Sequence, residues 1–199
     1  MVMKRSRLIA IEGIDQAGKK TQAHLLAAEI RKAGVIASVW NFPDYTTSIG
    51  KQLRAYLQGK IRLDLHLVHL LYAANRWEVA DDLRRRLERR EAVIVNRYSP
   101  SNLAYGAAHG LPRDWLVSLE EGLPRPNVVI VLDIPPRVSA GRKRTRRDVH
   151  EADLPYLKKV RRQYLQLGSR YGWTIVDGRQ DPATVRRFVW MKVAPVLRK

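Results

Sequence analysis

Arg7-Leu8-Ile9-Ala10-Ile11-Glu12 runs directly into Gly13-Ile14-Asp15-Gln16-Ala17-Gly18-Lys19-Lys20-Thr21. The first six residues are a short, mostly apolar run ending at a glycine, which reads as a buried strand. The next nine carry the spacing G-x-x-x-x-G-K. Glycines at those positions let the backbone curl so that its N–H groups point inward, and the amino end of a following helix adds a positive pole. Lys19 can then reach the outer phosphates of a nucleoside triphosphate. A glycine-containing turn with a surface lysine is the plainer alternative. The place of the motif, between a strand and a helix, argues against it.

Outward from this loop the pattern repeats. A helix is expected from about Gly18 to Lys32, with Leu25, Leu26, Ala28 and Ile30 apolar and Gly34 stopping it. Val35 to Trp40 reads as a second strand, followed by a short helix over Ser48–Leu57 and one long helix from about Leu65 to Arg90. Leu67, Leu70, Leu71, Ala74, Trp77 and Leu83 recur there at helical spacing. Val93–Val95 and Val128–Leu132 are β-branched runs of the kind that parallel sheets bury on both faces, and Trp173–Val176 is a fifth. Each strand follows a helical segment, so the expected architecture is α/β: three layers around a five-stranded parallel sheet. No repeat, low-complexity tract or linker divides the chain, and residues 1–199 read as one domain.

Bulk composition narrows the function classes. With 45% hydrophobic and 28% charged residues the chain is ordinary for a globular protein. The absence of cysteine excludes disulfides and thiolate metal sites, and fits a cytoplasmic protein. Lys4, Arg5 and Arg7 resemble a basic leader, but only Leu8–Ile11 follow before Glu12, too short for a signal core. No stretch approaches the ~20 apolar residues of a membrane span. The five histidines show no metal-ligand spacing, and no Ser/His/Asp signature is present. The net charge of +18, with 26 arginines among the 37 basic residues, implies an anionic partner. Nucleic acid, nucleotides and acidic membranes all qualify on charge alone; the motifs favour nucleotides.

Four segments, in order, resemble the thymidylate kinases, and the likeness runs from about Leu8 to the C-terminal helix. They are Glu12-Gly13-Ile14-Asp15 with Gly18-Lys19 and Thr21-Gln22; Phe42-Pro43-Asp44 leading to Ile49-Gly50; Tyr72-Ala73-Ala74-Asn75-Arg76-Trp77-Glu78; and Arg97-Tyr98 leading to Ser101-Asn102-Leu103-Ala104-Tyr105. The resemblance implies a P-loop NTPase fold and transfer of the γ-phosphoryl of ATP to dTMP, giving dTDP and ADP. It assigns ATP to Gly13, Gln16, Ala17, Gly18, Lys19, Lys20 and Thr21. It assigns dTMP to Asp15, Phe42, Tyr72, Arg76, Arg97, Ser101, Asn102 and Tyr105. Asp15 is expected to accept from the 3′-hydroxyl and Tyr72 to stack on the base where the family usually has Phe. Arg76, one helical turn on, is expected to hold O4, Arg97 to grip the phosphate, and Tyr105 to disfavour ribose. Family members are commonly homodimers paired through helices, and the apolar positions of the 65–90 segment are compatible with that.

The basic segment Arg137, Arg142, Lys143, Arg144, Arg146, Arg147 corresponds in the resembled family to a mobile lid, here residues 137–150. Some members carry a catalytic arginine inside the phosphate loop. Gln16 stands there in this chain, so Arg142, Arg146 and Arg147 become the candidates. By contrast, Arg84–Arg86 with Arg89 and Arg90 read as a solvated helix end.

Two departures fall on the expected Mg²⁺. The pattern calls for Ser or Thr after the lysine, as a metal ligand, and this chain has Lys20; Thr21 is rotated by ~100° along the helix. The family usually has Asp-Arg where Asn96-Arg97 stands. Mg²⁺ is therefore expected through nucleotide phosphates and water near Lys20 and Asn96, supplemented by Lys20 itself and bound more weakly than is usual. Other readings are a catalytically impaired nucleotide-binding relative, a kinase for another pyrimidine monophosphate such as dUMP, and a nucleic-acid-binding protein.

Overall fold

The computed structural model describes residues 7–142 and 153–197. Five strands form one parallel sheet in the order β2-β3-β1-β4-β5: β1 Arg7–Glu12, β2 Ala37–Asn41, β3 Ala92–Asn96, β4 Val128–Asp133 and β5 Thr174–Asp177. Nine helices flank it among the described residues: α1 Lys19–Lys32, α2 Ser48–Leu57, α3 Leu65–Trp77, α4 Ala80–Glu88, α5 Ser99–Ala108, α6 Arg113–Ser118, α7 Pro136–Arg142, α8 Leu154–Tyr171 and α9 Pro182–Leu197. The expected five-stranded α/β architecture is what the chain adopts.

Strand alternation builds two cores. Ile9 and Ile11 of β1, with Ile94 of β3, join a large cluster with Leu26 and Ile30 of α1, Leu157 and Tyr164 of α8 and Val189 of α9. Leu8 and Ala10, with Val93 and Val95, join a smaller one with Leu83 and Leu87 of α4, Phe42 and Tyr98. Successive strand residues point to opposite faces, so a central strand covered on both sides must be apolar throughout. Glu12, at the carboxyl end of β1 and fully buried, breaks that rule.

The expected long helix over 65–90 is instead two helices. α3 ends at Trp77, with Val79 N–H bonding the carbonyl of Arg76 at 3.3 Å, a tightened last turn. Asn75 Nδ2 draws the Glu78 carboxylate to 2.8 Å at the same point. α3 packs on α2 and α5, whereas α4 packs on β3. One straight rod could not serve both layers.

β1 sits centrally, between β3 and β4. The chain first builds leftward and then crosses to the right, so the crevice opens at the carboxyl ends of the strands, where such sheets bind ligands. The loop after β2 is pinned there. Asn75 accepts from Asp44 N–H at 2.7 Å and donates to Asp44 O and Thr47 Oγ1 at 3.2 and 3.0 Å. Thr47 caps α2, accepting from Gly50 N–H at 3.0 Å. A Cβ on Gly50 would lie 1.7 Å from the carbonyl oxygen of Asp44. Backbone cannot yield as a side-chain tip can, so Gly50→Ala is expected to cost at least about 1–3 kcal/mol, as overpacking does. Urea denaturation of the two proteins measures it, and an unchanged midpoint would refute the close approach.

Candidate active site

The phosphate loop leaves β1 through Gly13, whose φ of 131° and a would-be Cβ only 2.5 Å from Leu132 O both demand glycine. Gln16 and Gly18 also take positive φ, at 59° and 93°. The carbonyl of Gln16 accepts from Arg142 Nη1 at 3.1 Å, and Ala17 N–H reaches Ile14 O at 3.4 Å. Lys19 is buried, its Nζ donating to Ile14 O at 2.8 Å inside the loop. Lys20 and Thr21 are exposed on the first turn of α1.

Beside the loop opens a cavity of about 400 Å³, bounded among others by Asp15, Lys20, Phe42, Tyr72, Arg76 and Asn96. Arg97, Ser101, Asn102 and Tyr105 also reach it. Every residue expected around the monophosphate therefore borders one space.

At its inner end Arg97 follows β3 with φ 64°, a left-handed conformation, its N–H held by Ile11 O at 3.1 Å. Its Nη2 lies 2.5 Å from Asp15 Oδ1 and 3.0 Å from Tyr105 Oη, and Tyr105 donates to Asp15 Oδ2 at 3.2 Å. Burial alone would raise the Asp15 carboxyl, but Arg97 and Lys19 outweigh it and hold the group well below the usual carboxylate range. Burial works most strongly against the Arg97 charge, and Asp15, Tyr105 and Tyr164 together more than restore it.

Beneath this pair lies Glu12. It accepts from Tyr98 N–H at 2.7 Å, Ser101 Oγ at 2.5 Å and Tyr164 Oη at 3.0 Å. Burial raises its pKa, opposed chiefly by the Ser101 hydroxyl. Ser101 spends its hydrogen on Glu12 and meets Arg97 Nη1 at 3.4 Å. It supports the arginine from below while bordering the cavity.

At the other end Arg76 is buried and bidentate to Glu120, with Nε–Oε2 at 2.9 Å and a second contact between Nη2 and Oε1. Asn102 Nδ2 donates to Glu120 Oε1 at 2.8 Å, and its Oδ1 meets His69 Nδ1 at 2.6 Å. Since the amide nitrogen faces two acceptors, Oδ1 faces the ring, and Nδ1 of His69 carries the hydrogen. Sequence reasoning missed Glu120, His69 and a role for Glu12. An acid ending an apolar strand was a signal for Glu12; Glu120 and His69 carried none.

Arg142 ends α7 with Nη1 on Gln16 O and Nη2 on Gly178 O at 3.0 Å, joining the phosphate loop to the turn after β5. Arg146 and Arg147, with most of the expected lid, lie outside the described residues.

The chemistry of the donors does not suit a protein-ligated divalent cation. Among the described residues Asp15 is the one acid bordering the cavity, and it is claimed by Arg97 and Tyr105. No group of three His, Cys, Asp or Glu that could hold a metal occurs among the described residues. Lys20 and the amides of Asn41 and Asn96, joined at 3.0 Å, occupy the neighbouring wall.

Burial pushes His69 down to about 4 against the raising effect of Asn102. The folded protein thus keeps a neutral imidazole while the unfolded chain takes up a proton below about 6.5. Stability contributed by neutral His69 is present above that value and is lost as pH falls from about 6.5 toward 4. Between pH 7 and 5 the loss is about 2 kcal/mol, and His69→Gln is expected to remove that share. Chemical denaturation of both proteins at the two pH values checks it; equal slopes would refute it. Separately, Glu120→Gln leaves the buried Arg76 without a charged partner and is expected to cost about 3 kcal/mol, read from the same curves.

Comparison with known proteins gives the family. The family model described as thymidylate kinase matches residues 11–189. A thymidylate kinase of Danio rerio is 34% identical over 180 residues, 89% of this chain and 84% of its own. One of Schizosaccharomyces pombe is 41% identical over 138 residues, 69% of this chain and 66% of its own. The solved thymidylate kinase of Candida albicans superposes with a TM-score of 0.85 at 28% identity, covering 96% of this chain and 92% of that one. No helix of the described residues is long and apolar enough to cross a membrane. By sequence, by fold and by the residues around its cavity, the chain belongs to the thymidylate kinase family and is a nucleoside-monophosphate kinase.

Proposed function

We propose that the chain moves the γ-phosphoryl group of ATP onto dTMP by positioning and charge neutralisation, with the phosphate loop on ATP and Arg97 on the acceptor. The observation that carries this reading is the Asp15–Arg97–Tyr105 cluster, held at one end of the cavity next to the phosphate loop. An acceptor phosphate is already anionic at neutral pH, so no general base is required. What the reaction needs is two polyanions held in line in a positive, water-poor site.

The roles divide along the cavity. The loop N–H groups of Gly13 to Thr21, with Lys19 turning from Ile14 O to the nucleotide, hold the ATP phosphates. Arg97 binds the dTMP phosphate, and Asp15, relieved of part of its pairing, accepts from the 3′-hydroxyl. Tyr105 crowds the 2′ carbon, and Tyr72 stacks on the thymine while Phe42 walls it. Glu120 occupies Nε and Nη2 of Arg76, which leaves Nη1 as a donor of fixed direction for O4. Asn102 is held against the same carboxylate. Arg142, tied to the phosphate loop, supports it at the root of the lid, and Arg146 and Arg147 neutralise the transferring phosphoryl group.

We also propose pairing of two copies through α3, where Leu67, Leu70 and Trp77 are 43%, 44% and 41% exposed. A dimer that becomes monomeric in Leu70→Arg, read by light scattering, is the expected result; a monomeric wild type refutes the pairing.

ADP release from ATP tests the main reading, with dTMP as acceptor against dUMP, dCMP and UMP. Turnover is expected to be fastest with dTMP, and Arg97→Met to lower kcat/KM by about 10²–10³, the scale of losing one preorganised donor to developing charge. Protein that binds both nucleotides without releasing ADP would overturn it.

A further inference from the structure

We infer that Lys20 is a built-in counter-ion for the ATP triphosphate, so that this site binds ATP without a divalent cation. The inference rests on the kinase reading only in placing ATP on the phosphate loop.

Four observations lead there. Lys20 is the second residue of α1, exposed, and borders the cavity that the phosphate loop opens onto. A side chain at this position in phosphate-loop enzymes sits beside the outer phosphates, where a hydroxyl ordinarily ligates Mg²⁺. An ammonium reaches the same phosphates but cannot ligate a cation, and it repels one.

Second, the positive end of α1 is uncompensated. Its first turn holds no acidic residue, and Gly18 at its start offers no side-chain cap. The orphan N–H groups and the helix dipole therefore add to the charges of Lys19 and Lys20.

Third, among the described residues no acid is placed to neutralise Lys20. Asp15 is bound to Arg97 and Tyr105, and Glu12 is buried beneath them with three donors. Lys20 makes no ion pair among the described residues, unlike Arg76, Arg97 and Arg161.

Fourth, the amides that border the cavity with Lys20 are neutral. Asn96 donates from Nδ2 to Asn41 Oδ1 at 3.0 Å, while its own Oδ1 is buried without a hydrogen-bond partner. A bare phosphate has no hydrogen to give it. An ammonium or a water has, so an incoming donor completes this wall without adding negative charge. A site made of one ammonium and two amides suits a fully ionised triphosphate better than it suits a hydrated divalent ion.

Calorimetric titration of ATP into the full-length protein tests this, in excess EDTA and again in Mg²⁺, for wild type, Lys20→Ser, Lys20→Met and Lys20→Arg. Wild type is expected to bind ATP in EDTA within about tenfold of its affinity in Mg²⁺, on the scale of one charge-assisted contact. Lys20→Ser and Lys20→Met are expected to lose at least about tenfold in EDTA, and Lys20→Arg to retain the wild-type affinity. Lys20→Ser combined with Asn96→Asp is expected to shift binding toward dependence on Mg²⁺. Wild type that binds ATP only with Mg²⁺, or serine and methionine variants equal to wild type in EDTA, would overturn the inference. Titration of dTMP and thermal melting of each variant confirm an intact fold. The readout is binding, so it stands apart from turnover: a protein that releases no ADP can still show metal-free ATP binding through Lys20.

Discussion

A carboxylate with no access to water, Glu12, sets the geometry on which the site depends. Such a group is costly to bury unless donors surround it. The donors come from three places: the backbone of Tyr98 after β3, the hydroxyl of Ser101 on α5 and the hydroxyl of Tyr164 on α8. Satisfying Glu12 therefore draws β1, the β3–α5 turn and α8 to one point beneath the phosphate loop. Arg97 sits in that turn in a left-handed conformation that a bulky residue adopts only when its surroundings require it. Its hydrogen bond to Ile11 and the Ser101 side chain below it supply that requirement. The guanidinium is thus aimed before any ligand arrives.

A second polar network, at the other end of the cavity, is built without the sheet. Arg76 from α3 and Asn102 from α5 meet around the nearly buried carboxylate of Glu120, after α6, with His69 bonded to Asn102 in turn. Hydrogen bonds to charged groups are worth about 1.5–3 kcal/mol each, but the larger effect is geometric: Glu120 is held by Arg76 and Asn102, and Asn102 by Glu120 and His69. Among the described residues, Lys20, Arg76 and Arg97 border the cavity against the single acid Asp15. The resulting field favours polyanions and gives direction to an otherwise diffuse positive charge.

Much of the arginine excess is occupied elsewhere in the fold. Arg7 donates to the carbonyls of Arg90 and Leu197, and Arg31 to that of Ala37. Arg161 pairs with Asp133, and Arg86 with Asp82 and Glu91 while lying over the ring of Trp40. Exposed pairs of this kind contribute at most about 1 kcal/mol. Their planar, many-donor heads nonetheless tie strand ends and helix ends that a lysine would leave loose.

The sequence by itself determined the sheet and the loop. Runs such as Val93–Val95 and Val128–Leu132, and the glycine spacing after Glu12, are local patterns whose meaning follows from backbone geometry alone. The identities of Asp15, Arg76, Arg97 and Tyr105 were legible for a different reason: they stand in motifs shared with a known family. Only the tertiary structure decided that the segment from Leu65 to Arg90 breaks after Trp77, that Glu120 anchors Arg76 from 44 residues away, and that Arg142 ties α7 to the carbonyls of Gln16 and Gly178. Periodicity reports what each element wants to bury. It carries no record of the angle at which two elements cross, and that angle selects which buried side chains meet.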